Sequence, residues 1–196
     1  MCPDIYEALK YAERQPQYSK YKIIIRPKYY YISEPLVIDG KFNNKEVIIK
    51  GKKNRSGLMP VFWGANSQVI KIMTFYPVQK YSKVTMASVR ISGLCIINKD
   101  PNPKEWWDKA AILADLAESV SIKNCIIISS MGGIHFNYVE GEITNNVIES
   151  NIGMPVTLYN NNSGTPVNSN VFVKGNIETT NGLNYSQKNV LVRDIR

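Results

Sequence analysis

Residues 132–151 read GGIHFNYVEGEITNNVIESN, and this segment shows most clearly the pattern from which the fold is predicted. Short runs at 134–136, 141–144 and 147–148 lie between glycine and asparagine, which is typical of short β-strands bounded by turns. Asn145 directly follows the second run. Asparagine tolerates the left-handed backbone conformation that a sharp bend requires, so we expect the chain to turn at this residue.

The second run and its bend residue recur along the chain. Successive copies begin 23, 19, 31, 21, 30 and 19 residues apart, and all but one degenerate copy end in Gly, Asn or Asp. The copies occupy residues 47–51, 70–74 (the degenerate one), 89–93, 120–124, 141–145, 171–175 and 190–194. A further strand is predicted before each of six copies, at residues 36–38, 61–63, 112–114, 134–136, 156–158 and 183–185.

Three short strands repeated about every 21 residues indicate one coil of a parallel β-solenoid, whose stacked coils bury a continuous apolar core. The sequence therefore predicts an all-β fold of about seven coils. The only predicted helix lies at the start, where Asp4 can cap a segment with apolar residues at helical spacing up to Ala12. We predict a single domain over residues 1–196, with an N-terminal cap at 1–21 and an uncapped C-terminal end, which indicates either a truncated piece or a subunit whose end another chain covers.

These patterns resemble the right-handed parallel β-helix of the pectin-lyase-like superfamily. DIYEALKYA, residues 4–12, is similar to the helix that caps the N-terminal end in that superfamily, and residues 132–151 are similar to a generic coil. The resemblance implies the fold but not one activity, since the superfamily includes polysaccharide lyases, glycoside hydrolases, esterases, epimerases, phage tailspikes and non-enzymatic surface proteins.

Two features depart from the enzymes of that superfamily. The chain is shorter than most of them and stops inside a predicted coil, and a bare coil end is a sheet edge that invites pairing. It also lacks the adjacent Asp-Asp pair of polygalacturonases and pectinesterases. We therefore keep a second hypothesis, a structural module such as a virion spike or surface-assembly subunit whose end docks another chain or a second copy.

The composition excludes several kinds of site and partner. A single histidine excludes multi-histidine zinc sites, and three cysteines do not form a disulfide framework, so we expect no metal and no cofactor. Cys95 and Cys125 are predicted to be buried small apolar residues. The net charge of +8 indicates either an acidic partner or solubility alone. No nucleic-acid module, membrane span or secretory leader is visible, so the compartment stays open between cytoplasm, virion and cell exterior.

In the strand before each motif copy, alternate side chains are predicted to point outward, and equivalent residues of successive coils form columns that suggest a substrate-binding site. One column is predicted to hold Val37, Phe62, Leu113, His135, Thr157 and Asn184, and the next Asp39, Gly64, Asp115, Asn137, Tyr159 and Ser186. By resemblance, substrate binds on this face. His135 or Tyr159 is the candidate base, Asp115 the supporting acid and Asn137 a substrate-binding residue. The alternative is a polar, solvated face.

Two further groups are candidate substrate-binding residues. Trp106 and Trp107 lie in an insertion at 99–110, where at least one indole is expected to face solvent and stack on a sugar ring, whereas Trp63 is expected to point inward. Lys123 and Lys174 belong to a basic column with Lys50 and Arg193, in which Ser92 and Thr144 alternate with the cations. The column either holds an anionic polymer or is a solvated face.

The leading hypothesis is a carbohydrate-directed β-helix protein that binds, and in the enzymatic case cleaves, a polysaccharide as a lyase or glycoside hydrolase. The expected partner is a polysaccharide or oligosaccharide.

Overall fold

The computed structural model describes residues 4–16, 19–73, 87–100, 109–159, 171–180, 183–184 and 190–192. Within these ranges the chain has one α-helix, one short 3-10 turn and strands that pair mostly in parallel in two curled sheets. The predicted all-β class is therefore confirmed, and the parallel pairing is compatible with a β-helix.

Helix α1 (Ile5–Arg14) lies at the N-terminal end, as the sequence predicts. The Asp4 side chain accepts a 3.0 Å hydrogen bond from the Glu7 backbone nitrogen, which satisfies one of the free donors of the first turn. At the other end, the buried Lys45 ammonium donates to the carbonyl oxygens of Ala12 and Glu13. A cation there stabilises the last turn because the carbonyls have no partner within the helix.

The strands are short except for two, which continue through a bend. In chain order they are β1 (Lys20–Ile25), β2 (Tyr29–Ile32), β3 (Leu36–Asp39), β4 (Glu46–Gly51), β5 (Val61–Gly64), β6 (Ile70–Met73), β7 (Ser88–Ser92), β8 (Cys95–Asn98), β9 (Ala110–Lys123), β10 (Ile126–Ser129), β11 (Gly132–Thr144), β12 (Val147–Ser150), β13 (Val156–Tyr159), β14 (Val171–Lys174), β15 (Ile177–Thr180), β16 (Leu183–Asn184) and β17 (Val190–Val192). The 3-10 turn, Gly40–Phe42, follows β3.

The larger sheet, sheet A, contains two ladders that share the long strands β9 and β11. The motif ladder pairs β1, β4, β7, the second half of β9, the second half of β11 and β14, all in parallel. The second ladder pairs β3, β6, the first half of β9, the first half of β11 and β13, also in parallel. Sheet B pairs β2, β5, β8, β10, β12 and β15 in parallel.

Apolar residues on alternate positions of the motif ladder form a continuous buried column. The column is in register across five strands, and each of its members is at most 2% exposed: Ile49, Ile91, Ile122, Ile143 and Val173. The inward positions predicted from the repeated motif are therefore confirmed for Ile122 and Ile143. Burial of such stacked β-branched side chains is the main source of stability in this kind of fold.

The predicted bends occur at four of the motif copies. Gly93, Asn124, Asn145 and Gly175 have φ angles between +52° and +69°. Gly51 is the exception, because its φ angle is not positive. Instead, a Cβ atom at Gly51 would collide with the Gly93 carbonyl of the adjacent strand, so this position requires glycine for close approach.

Asparagines that follow the bends hydrogen-bond from one strand to the next. The buried Asn146 accepts a 2.9 Å hydrogen bond from the Cys125 backbone nitrogen and donates at 3.0 Å to the Ile122 carbonyl. Asn176 accepts in turn from the backbone and side-chain nitrogens of Asn146, at 2.9 and 3.0 Å. These amides satisfy backbone groups that the bend leaves without a partner in the ladder.

Two strand assignments made from the sequence are wrong. Residues 70–73 do not continue the motif ladder but pair with β3 and with the first half of β9 in the second ladder. Residues 61–64 belong to sheet B, where Phe62 is fully buried and Trp63 is 38% exposed, so Trp63 points outward and not inward. Both segments are short apolar runs, Val-Phe-Trp-Gly at 61–64 and Ile-Lys-Ile-Met at 70–73, and such a run does not by itself identify the ladder to which a strand belongs.

The last two strands also differ from the expectation of further parallel copies. Within the described residues, β17 pairs antiparallel with β14, and β16 pairs antiparallel with β15 in sheet B. Asn184 therefore lies in sheet B and not beside Thr157. Ser186, Arg193 and the bend predicted at Asp194 lie outside the described residues.

Candidate functional site

The second ladder presents two outward columns of polar and mixed character. In register, the first column is Val37, Lys71, Leu113, His135 and Thr157, and the second is Asp39, Met73, Asp115, Asn137 and Tyr159. Adjacent strands lie about 4.8 Å apart, so neighbours within a column are close enough to contact one another. The structure therefore brings together the predicted residues Asp115, His135, Asn137, Thr157 and Tyr159.

Lys71 and Met73 occupy the positions that the sequence assigned to Phe62 and Gly64. They were missed because residues 70–73 resemble a weak copy of the repeated motif. Met73 is directly in register with Asp115, and Lys71 is in register with Leu113. The site thus contains a cation beside the carboxylate, and the only hint in the sequence is a charged residue inside an apolar run.

Asp115 is the centre of this cluster. Burial raises the pKa of its carboxyl, and four weaker contributions oppose that shift: the Asn137 hydrogen bond, the electrostatic interactions with His135 and Lys71, and a hydrogen bond with the Leu116 backbone. The net pKa is above the ordinary aspartate value, so Asp115 keeps its proton to higher pH than a free aspartate. A carboxyl with a raised pKa is suited to general acid catalysis.

Asn137 links two strands of the cluster. Its side-chain nitrogen donates a 2.9 Å hydrogen bond to the Asp115 carboxylate from the adjacent strand. Its side-chain oxygen is buried and accepts no hydrogen bond from any group in the described part of the chain. A hydroxyl or amide hydrogen of a bound molecule is the kind of partner that such an oxygen can accept.

Tyr159 lies at the exposed end of the second column. It is 49% exposed and meets the ring of Tyr138 edge to face, with 6.1 Å between ring centroids and 89° between the ring planes. Tyr138 has a φ of +52°, and Leu116, near the end of the corresponding run in β9, has a φ of +48°. The two left-handed residues mark the bend that separates the second ladder from the motif ladder within β9 and β11.

The basic column lies beyond that bend, on the motif ladder. Lys50, Ser92, Lys123, Thr144 and Lys174 are in register, as predicted, and Arg90 occupies the neighbouring outward column. Thr144 departs from the prediction of an exposed residue, because it is only 7% exposed between the two lysines. Lys123 and Lys174 thus form a surface separate from His135, because they lie on the motif ladder and His135 lies on the second ladder.

A groove of about 310 Å³ runs along this basic surface beside Lys22, Lys50, Arg90 and Lys123. Lys123 is not available as a free cation, since its ammonium pairs with Glu142 at 2.6 Å. Burial alone raises the Glu142 pKa, but the hydrogen bonds from Lys123 and Ser121 and the charges of Lys123 and Arg90 lower it below its usual value overall. The predicted contribution of Lys123 to substrate binding therefore competes with an ion pair.

The remaining predicted residues have mixed outcomes. Trp106 and Trp107 lie outside the described residues, so their contribution to sugar binding stays a prediction. Cys125 is buried, and burial raises its thiol pKa to about 11, as expected for an inert structural cysteine. The prediction that Cys95 is buried is wrong, since this residue is only partly buried. Cys95 lies two residues after its bend, whereas Cys125 lies one residue after its own, and Cys95 is therefore on the outer face of sheet B.

The described ranges contain no group of three His, Cys, Asp or Glu side chains placed to hold a metal ion. Over the same ranges, the one helix is too short and too polar to cross a membrane.

No protein-family model, curated protein or solved structure matches this chain.

Proposed function

We propose that the chain forms a right-handed parallel β-helix of the pectin-lyase-like kind, with about six parallel coils in place of the seven predicted, because β16 and β17 pair antiparallel. The parallel ladders, the apolar columns in register, the left-handed bends and the N-terminal helix support this form. A crystal structure tests the proposal through the connections between successive strands of sheet B, which are expected to pass through sheet A with one right-handed sense. A left-handed or mixed sense would overturn it.

We propose further that the protein binds a polysaccharide on the outward face of the second ladder. One observation carries the proposal: a half-buried carboxyl, an amide, a hydroxyl and an imidazole from three adjacent strands converge on this face of a rigid sheet. Sugars present many hydroxyl groups, and sites for them use several such donors and acceptors held in fixed positions. Tyr159 adds an exposed aromatic ring at the edge, on which a sugar ring can stack.

Cleavage is a separate proposal on the same face. In a lyase reaction, His135 or Tyr159 takes the proton α to the substrate carboxylate, and the electron pair forms a C=C bond as the glycosidic C–O bond breaks. The leaving oxygen then takes a proton, for which the raised pKa suits Asp115. In a glycoside hydrolase, the same carboxyl protonates the glycosidic oxygen as its C–O bond breaks, and His135 or Tyr159 takes a proton from the water that attacks the sugar carbon.

Calorimetric titration with neutral and anionic oligosaccharides tests binding. We expect the Asp115→Asn and Asn137→Ala variants to bind at least about tenfold more weakly, since each removes a polar partner in a partly buried site. Glu149→Gln is the matched control, because Glu149 is an exposed carboxylate on the outer face of sheet B. Binding by no oligosaccharide, or an equal loss in the control, would contradict the proposal.

Product analysis tests cleavage independently. A lyase yields products with a new C=C bond that absorbs ultraviolet light, whereas a hydrolase yields only new reducing ends. We expect His135→Gln to remove turnover and leave the oligosaccharide affinity nearly unchanged, because a general base acts on the barrier more than on ground-state binding. Bound sugar without turnover in the wild-type chain would restrict the function to binding.

A structural module is the second candidate function. The outer face of sheet B favours it, since exposed apolar residues on a regular sheet are typical of protein–protein contacts.

A further inference from the structure

The outer face of sheet B is apolar over almost its whole extent. Its first column is in register across six strands and contains only apolar residues: Tyr29, Val61, Cys95, Ile126, Val147 and Ile177. The second column continues with Tyr31, Trp63, Ile97 and Ile128 before it reaches Glu149 and Thr179. We call these two columns the apolar face.

The apolar face is open to solvent. Tyr29 is 82% exposed, Tyr31 60%, Val147 44% and Ile177 63%. The side chains are nonetheless ordered against each other, as the rings of Tyr31 and Trp63 pack at 4.9 Å between centroids. The largest contiguous apolar patch on a protein surface is often a site where another molecule binds.

Charge identifies the molecule that can cover it. The chain has a net charge of +8, so two copies repel each other least when they meet through a surface without cations. The cations Lys50, Arg90 and Lys174 lie on the outward face of the motif ladder, whereas the two columns of the apolar face contain no lysine or arginine. A contact through the apolar face leaves the positive surfaces of both copies in solvent.

Shape identifies the arrangement. The face is bulky at the β2 end, where Tyr29 and Tyr31 stand, and smaller at the β15 end, where Ile177 and Thr179 stand. A two-fold axis parallel to the strands places the bulky end of one copy over the small end of the other. It also puts Tyr29 opposite Ile177 in both halves of the contact, as a self-complementary interface requires.

We propose that the apolar face joins two copies of this chain, sheet against sheet, about such a two-fold axis. Strand and residue spacings give a face of roughly 24 by 13 Å, or about 300 Å². This is less than the roughly 800 Å² per partner of a standard stable interface, so we expect a weak dimer that forms at micromolar or higher concentrations and dissociates on dilution. The proposal does not depend on glycan binding, which uses the opposite sheet.

Sedimentation equilibrium from about 1 to 500 μM tests the proposal, and the range brackets a weak micromolar dimer. We expect Ile128→Glu to abolish the dimer and Phe172→Glu to leave it intact. The two residues are matched, since Ile128 is 37% exposed on sheet B and Phe172 is 42% exposed on sheet A, and each substitution changes the charge by the same amount.

A charge exchange tests the two-fold arrangement. Tyr29→Glu and Ile177→Lys are each expected to weaken the dimer, and the two changes in one chain are expected to restore it, because each Glu then meets a Lys of the other copy. A wild-type chain that stays monomeric at all concentrations would overturn the proposal. Equal effects of Ile128→Glu and Phe172→Glu, or a monomer that uses this face only to bind lipid vesicles, would overturn it as well.

Discussion

The side-chain nitrogen of Asn137 donates a 2.9 Å hydrogen bond to the carboxylate of Asp115, and the two residues lie directly opposite each other on adjacent parallel strands. This contact stabilises the charged form of a carboxyl whose pKa burial raises. The balance between the two effects makes the cluster sensitive to single substitutions.

Removal of that hydrogen bond should raise the Asp115 pKa further. In Asn137→Ala the charged carboxylate loses a donor, so its titration in carbon-13 NMR spectra is expected to move to higher pH. Met73→Leu is the control, because Met73 is in register with Asp115 on the other side and donates no hydrogen bond. An unchanged titration in Asn137→Ala would show that the contact contributes nothing to the charge state.

Glu178 should make stability fall as pH rises. It is 4% exposed on the core side of sheet B, and burial raises its pKa from 4.5 to about 7. Below pH 4.5 the carboxyl is protonated in both states, and its contribution to stability is fully present. Between pH 4.5 and about 7 it ionises in the unfolded chain but not in the folded one, so this contribution is lost as the pH rises.

Urea unfolding at a series of pH values measures this effect. Above pH 7, Glu178→Gln is expected to be more stable than the wild-type chain by up to about 3 kcal/mol, and the difference should shrink towards pH 4.5. Glu149→Gln, an exposed carboxylate in the adjacent strand, should show no such dependence. The same pH profile in both variants would contradict the assignment to Glu178.

The buried column should be far more sensitive than the basic column beside it. Ile143→Ala removes a fully buried side chain and is expected to lower the free energy of unfolding by about 2–5 kcal/mol. Lys174→Ala changes an exposed residue one strand away and should alter it by less than about 0.5 kcal/mol. The reverse order in thermal or urea unfolding would mean that the side chains face the other way.

Gly141 should not tolerate a side chain. A Cβ atom there would collide with the Val120 carbonyl of the neighbouring strand, beside the irregularity at Val139. We expect Gly141→Ala to cost about 1–3 kcal/mol of unfolding free energy. Gly132→Ala in the same strand is the control, since its Cβ would meet nothing closer than 3.4 Å and the change should be nearly neutral.

Part of the candidate site could be predicted from the sequence. The alternation within residues 134–137 predicts that His135 and Asn137 share one face, and the spacing to Asp115 and Tyr159 predicts their alignment on adjacent strands. The place of Lys71 in the site could not be predicted. Residues 61–63 and 70–73 are similar apolar runs, and only the pairing of residues 70–73 with β3 and β9 shows which of them belongs to the second ladder. The Lys123–Glu142 ion pair was also missed, because it joins residues of two different strands.

The all-β class, the inward isoleucines and the bends at Asn124, Asn145, Gly93 and Gly175 could all be predicted from the amino-acid sequence. These features follow from local chemistry, since side-chain alternation and tolerance of positive φ are properties of a few consecutive residues.

The sheet that each strand joins could not be predicted from the sequence. The same holds for the outward direction of Trp63, the antiparallel pairing of β17 and the apolar outer face of sheet B. Pairing is set by hydrogen bonds and packing between segments distant in sequence. A strand with apolar residues at alternate positions satisfies either sheet equally well until its neighbours are in place.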